Sequence, residues 1–306
     1  MPLPVSIITI YNIELEKEKK MDQKKVVLLG AGGKMGCRVT PNIKDCPEYE
    51  ITYVEISDAG VERLKAFGVT ASKTYEAVPL ADIVIFALPD VLIGKVSKEI
   101  VPMMKSGAMV IGLDPAAAFA GVLPEREDIR YFVVHPCHPP LLKFEDNLSL
   151  DAQKDWFGGV GAAKMALVCA IFKGNDSDYE EGEAFAKKMF KPIFASYRVT
   201  VEQMALLEPG LVESISAPLV QGIKMAMDAC VAKGVPEDAA MAFLMGHLNV
   251  QFGVIFGFAG FPFSDGANLA LKNAMDVIYK PDWLDQIMNI EAVKHSVAEI
   301  TDSIKK

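Results

Sequence analysis

The stretch "KVVLLGAGGKMGCRV" at 25–39 constrains the fold of this chain most. A short β-branched apolar run ends in closely spaced glycines, Gly30, Gly32, Gly33 and Gly36, after which the pattern turns helical. A strand, a tight turn and a helix in succession satisfy that order, since glycine enters such turns without steric cost. A glycine string alone is a weak signal, but here the flanking context of a dinucleotide-binding unit is complete. The glycines let the backbone approach a pyrophosphate, whose charge sits at the helix N-terminus. "YEITYVEIS" at 49–57 reads as the second strand and carries Glu55 near its end. A carboxylate there accepts hydrogen bonds from ribose hydroxyls and repels a 2′-phosphate. The next residues, Ile56, Ser57 and Asp58, supply no arginine to neutralise such a phosphate, so NAD is expected over NADP.

The same alternation continues. "ADIVIFALPD" (81–90) is a nearly continuous apolar strand, as a parallel strand covered on both faces should be. "LIGKVSKEIVPMMKSG" reads as helix, and "AMVIGLD" and "RYFVVHP" read as strands. The expectation is an α/β Rossmann domain over 24–145, a doubly wound parallel sheet. The alternative is a sheet of this type that binds another nucleotide or none. Cofactor contacts are expected from Gly30, Gly32, Gly33, Lys34, Met35, Gly36 and Glu55. Pro89 in "FALPD" joins them by turning the chain over the nicotinamide side. After Leu150 helical periodicity rich in Ala, Met, Leu and Glu takes over, which gives an all-α domain over 146–306 for substrate and dimerisation. Residues 1–23 lack the features of a signal peptide and are read as an extension, disordered or from a mis-called start.

Composition narrows the partners. A net charge of −9 gives no reason to bind nucleic acid or an anionic membrane. The cysteines, five in number and without a CxxC pair, suit reduced thiols in the cytoplasm. The longest uncharged stretch, "LNVQFGVIFGFAGFPF" at 248–263, falls short of the ~20 residues a bilayer requires. It reads as a core or subunit-interface helix, and a homodimer is expected.

Two of only four histidines, His135 and His138, fall in "HPCHPP" directly after a strand. Ligands in such sheets bind outside the carboxyl ends of the strands, so His135 is expected on the substrate rim. Three roles stay open: general acid or base, metal ligand, or an imidazole held by backbone hydrogen bonds. The last ranks first for His138 and last for His135. In "VTVEQMALLEPGLVESISAP", Glu202, Glu208 and Glu213 sit among apolar residues. At about 100° per residue, Glu202 and Glu213 share a helix face. They are either functional carboxylates or a solvated face. His247 and Asn249 are ligand groups or satisfied polar residues, Asp265 is a helix cap or a substrate contact, and His295 is a surface residue.

With "LLGAGGKMG", "FALPD", "DPAAAFAG" and "HPCHPP" the first half resembles the 6-phosphogluconate dehydrogenase superfamily. "RVTVEQMALLEP", "GVPEDAAMAFLMGHLN" and "FSDGA" make the second half similar to the helical domain of decarboxylating phosphogluconate dehydrogenases. The sugar-phosphate members' helical-domain lysine motif and an arginine cluster for phosphate are missing, so an unphosphorylated acid fits better. The resemblance implies an NAD-dependent oxidoisomerase of a branched sugar acid, with oxidation at C2 followed by a metal-assisted ketol shift. On that basis His135 and Glu213 are the expected ligands of a divalent Mg, Mn or Zn ion. Glu208 is a third ligand or the base, and His135 and Glu208 form the catalytic pair. A plain dehydrogenase without rearrangement and a non-catalytic NAD sensor remain the alternatives.

Overall fold

The computed structural model describes residues 23–142, 145, 147–159 and 161–302. Apart from Gln23, the extension read over 1–23 lies outside them. The chain divides into two compact units, one running to Ala205 and including the segment from Ser296, the other spanning Leu206–His295.

The first unit opens as anticipated with β1 (Lys24–Leu29), α1 (Gly36–Ile43), β2 (Tyr49–Val54) and α2 (Asp58–Ala66), to which the structure adds a two-residue β3 (Ala71–Ser72). It continues through β4 (Ile83–Phe86), α3 (Asp90–Ile100), β5 (Met109–Gly112), α4 (Ala116–Phe119) and β6 (Arg130–Pro136). Strands do not stop there. After α5 (Leu150–Lys154), the chain forms β7 (Met165–Lys173), α6 (Asp176–Met189), β8 (Ile193–Arg198) and α7 (Val201–Ala205). One sheet results, ordered β3-β2-β1-β4-β5-β6-β7-β8. All-helical chain therefore begins later than residue 146. "MALVCAIFK" is a buried β-branched strand, antiparallel to β6 and parallel to β8.

The apolar sequence of β4 has its physical cause in two-sided burial. Ile83 and Ile85 pack with Leu28, Ile111, Phe132 and Phe185 on one face. Val84 and Phe86 pack with Val27, Leu29, Ile93 and Ile100 on the other. Packing on the first face is tight at α6, where a Cβ on Gly182 would lie 2.5 Å from the Phe132 ring. Gly182→Ala is expected to cost about 1–2 kcal/mol net, after the gain in helix propensity, read as a lower urea midpoint.

The second unit is helical. It comprises a π-helix (Leu206–Ser216), α8 (Ala217–Ala232), α9 (Glu237–Ile255), α10 (Asp265–Ile278), α11 (Trp283–Met288) and the start of α12 (Ile290–Asp302). Pro209 and Gly210 lie inside the π segment. Proline offers no N–H and its ring collides with the carbonyl of a normal α-turn, whereas wider i→i+5 bonding makes room for it. The Ser214 hydroxyl donates to the Pro209 carbonyl at 2.6 Å. Among the described residues, no helix is long and apolar enough to cross a membrane.

Candidate active site

The parallel order β3-β2-β1-β4-β5-β6 reverses direction between β1 and β4, where open sheets of this type take their ligands. A cleft of about 240 Å³ lies there, lined by Gly30, Gly33, Glu55, Arg63 and Pro89 among others. Gly30 has φ +73°, and a Cβ on it would meet the Ala87 carbonyl oxygen at 2.4 Å. The other glycines serve close approach. A Cβ on Gly32 would strike the Gly60 backbone at 2.4 Å, and one on Gly36 would strike the Ala31 and Gly30 carbonyls at 2.3 Å. Lys34, also expected at the cofactor, stands over the Phe157 ring at 5.5 Å. The Met35 sulfur accepts from Arg38 Nη1 at 3.6 Å.

Glu55 is only 7% exposed and is tied into the turn. Its Oε2 accepts from the Gly32 N–H at 3.0 Å. Its Oε1 accepts from the Ser57 N–H and hydroxyl, both at 2.8 Å. A carboxylate has about four acceptor positions. Three are taken here, which leaves one. The arginine of this region is not adjacent to Glu55 in sequence but five residues beyond Asp58, at Arg63. Helical side chains lean toward the N-terminus, and Arg63 on α2 reaches back so that its Nε donates to the Gly32 carbonyl at 2.7 Å.

His135, at the end of β6, and Asp114, just beyond β5, come together on the carboxyl-end rim. His135 Nδ1 lies 3.1 Å from the Leu113 carbonyl and 3.6 Å from Asp114 Oδ2. A carbonyl can only accept, so Nδ1 is the donor in that bond. Asp114 Oδ1 accepts from the Ala116 N–H at 2.8 Å, which orients the carboxylate. Asp114 was not among the expected residues, although the rule that located His135, a polar residue ending a parallel strand, applies equally to "AMVIGLD".

Asp90, at the start of α3, is held up by burial and then by the Asp114 charge, to about 6, with His135 acting the other way. Its folded value thus exceeds the unfolded one, so stability is lost as pH rises from about 4 through 6. In EDTA-treated protein, Asp90→Asn is expected to stabilise by about 1 kcal/mol at pH 8 and not at pH 4, after discounting for partial exposure. Urea titrations at both pH values check this.

His138 has the structural role ranked first for it. It takes φ +59°, and its Nδ1 donates to the Phe157 carbonyl at 2.8 Å. Burial is the main cause lowering its pKa, which favours the neutral ring. Arg38 of α1 donates to the same Phe157 carbonyl and, at 3.1 Å, to that of Gly158. Asn42 of α1 donates to Gly159 at 2.6 Å.

The helical unit carries the remaining expected residues. Glu208 and Glu213 lie in the π-helix, Glu208 half-buried and Glu213 exposed, while Glu202 is exposed on α7. The 100° step behind the shared face of Glu202 and Glu213 does not hold through a π segment, so that geometric basis falls away. His247 stacks on Phe243 with ring centroids 4.0 Å apart and bonds the Phe243 carbonyl at 2.8 Å. Ser264 caps α10, with Asp265 as its first residue. Asn249 and His295 are exposed.

A D-apionate oxidoisomerase of Cupriavidus necator is 44% identical over 280 residues, covering 91% of this chain and 100% of the relative. That of Rhizobium rhizogenes is 46% identical over 277 residues, or 90% and 99%. The chain belongs to the D-apionate oxidoisomerase family. It is an oxidoreductase, and the reading as a non-catalytic sensor is set aside. Residues 145–301 match the family described as phosphogluconate dehydrogenase (decarboxylating) C-term. Residues 20–140 match acetohydroxy acid isomeroreductase, NADPH-binding domain. Both fit the superfamily resemblance of the sequence motifs. A Cupriavidus necator semialdehyde dehydrogenase NAD-binding protein, solved with calcium and NAD, superposes with a TM-score of 0.87 at 43% identity, covering 91% of this chain and 100% of that one. An NADH-preferring ketol-acid reductoisomerase from an uncultured archaeon, at 17% identity and TM-score 0.65 over 92% of this chain and 87% of its own, shares the fold.

Proposed function

We infer that this chain is an NAD-dependent oxidoisomerase that converts D-apionate to 3-oxo-isoapionate. The observation that carries the reading is the His135–Asp114 pair, on the same rim of the sheet as the dinucleotide cleft. The relative solved with calcium and NAD supports both cofactors. Gly30, Gly33, Glu55 and Pro89 would hold the NAD, with Gly32, Lys34, Met35 and Gly36 shaping the turn. NAD supplies the hydride acceptor for the C2 hydrogen.

The donor set fits a divalent cation. The His135 imidazole and the Asp114 carboxylate are a mixed N/O set compatible with Mg, Mn or Zn. A cation held there would supply Lewis acidity for the migration of a hydroxymethyl group from C3 to C2. A deprotonated imidazole nitrogen offers one lone pair, so His135 would serve a cation or the departing alcohol proton, never both at once. With His135 as ligand, Glu208 takes the role of base and Glu213 that of a further ligand. Those two assignments rest on the sequence.

The exposed apolar side chains of the helical unit, such as Phe243 at 70%, Phe261 at 82% and Val277 at 86%, support a homodimer formed through that unit. Light scattering at micromolar concentration is expected to give twice the 33.3 kDa chain mass. The cysteines, all free, support a cytoplasmic location.

The test is NADH formation from D-apionate with and without EDTA, together with the carbon skeleton of the product. A rearranged skeleton that needs metal is expected. NADH with an unrearranged skeleton would replace this reading by a plain polyhydroxy-acid dehydrogenase, and no NADH at all would overturn it.

A further inference from the structure

Arg63 is an exposed cation that lines the dinucleotide cleft beside Glu55. Its charged neighbours on α2 are already paired. Asp58 holds Lys73 at 2.9 Å, and Glu62 holds Lys65 at 2.6 Å. Arg63 has no ion pair of its own among the described residues, and its described partner is the Gly32 carbonyl. One guanidinium nitrogen, Nε, is spent on that carbonyl, which fixes the plane of the group against the glycine turn. The Nη donors remain, and a guanidinium fork matches the oxygens of a phosphate. Ser57, whose hydroxyl donates to Glu55 Oε1, lines the same cleft.

The adenosine end therefore holds two opposed devices within one turn of structure. Glu55 meets a ribose 2′-hydroxyl favourably and a 2′-phosphate, with about two negative charges, unfavourably. Arg63 does the reverse. We propose that Arg63 is a second determinant of dinucleotide choice, a phosphate-binding cation kept from selecting NADP by the single carboxylate of Glu55. The proposal rests on the dinucleotide reading of the cleft and not on the identity of the sugar acid.

The experiment measures NADH and NADPH binding by fluorescence titration, without sugar acid, for the wild type, E55Q, R63A and E55Q/R63A. In E55Q the preference for NADH over NADPH is expected to narrow at least about tenfold. Adding R63A removes that gain. With Glu55 intact, R63A alone widens the preference about fivefold or more, and R63K widens it less. This arm stands even if E55Q loses the turn that Glu55 braces. Equal losses of NADH and NADPH affinity in R63A overturn the proposal, as does an E55Q gain that survives R63A. A wild type that binds neither dinucleotide would sink the cofactor reading along with it, whereas tight binding with an unchanged preference in R63A sinks the proposal alone.

Discussion

His135→Ala is expected to reduce NADH formation from D-apionate by roughly 10²–10⁴-fold, the range lost when a positioned acid, base or ligand is removed. The imidazole sits at the end of a buried strand, and its Nδ1–H is fixed by the Leu113 carbonyl. Alanine removes the imidazole and leaves the strand intact, because β6 is held by backbone pairing to β5 and β7. NADH affinity should therefore survive while turnover and bound metal are lost together. Asp114→Asn keeps the Ala116 N–H as a donor to its side-chain oxygen but removes the charge, so metal affinity should fall about 10–100-fold. Metal analysis of the dialysed variants, run beside Glu213→Gln, separates ligand from base. Unchanged metal content with full activity in His135→Ala and Glu213→Gln would remove the metal reading.

Gly30→Ala is expected to abolish tight dinucleotide binding. At φ +73° an L residue costs about 1–2 kcal/mol. The added Cβ would also stand 2.4 Å from the Ala87 carbonyl oxygen and 2.9 Å from Leu88 Cδ2. Neither side can yield cheaply, since Ala87 is fixed by its N–H to the Leu29 carbonyl at 3.0 Å and Pro89 follows two residues later. The clash therefore pushes β1 and β4 apart at the point where the cleft opens. A distortion of about 3 kcal/mol corresponds to roughly 100-fold in affinity. Gly33→Ala is the contrast, because its φ is unexceptional and its nearest neighbour, the Gly30 carbonyl oxygen, lies at 3.1 Å. A titration in which Gly33→Ala weakens NADH more than Gly30→Ala would contradict this account of the turn.

The Rossmann half was legible because its signals are local. The β1 run, the glycine turn, the uninterrupted apolar β4 and the strand before His135 each lie within a dozen residues. β7 and β8 are not legible in the sequence because "MALVCAIFK" and "IFASYR" stand among long Ala- and Met-rich helices whose texture masks them. The Gly-Asn pair after "IFK" and Pro192 before β8 were the available boundary signals. The candidate site was legible only in part. His135 and Glu55 announce themselves by position at strand ends. Asp114 and Arg63 acquire meaning from β5–β6 pairing and from the return of α2 onto the turn, which are contacts across many residues. The π-helix was not readable at all, since periodicity arguments presuppose the very pitch that Pro209 disrupts.

Arg38 from α1 and His138, three residues beyond His135, meet on one carbonyl, that of Phe157. The helix that begins at the glycine turn and the segment that carries the rim histidine are thereby fastened to the same short loop. Displacement of either is passed to the other, and substitutions in the two places will not add independently. A double-mutant cycle between Arg38 of α1 and His138 is therefore expected to show coupling, because one carbonyl anchors both side chains.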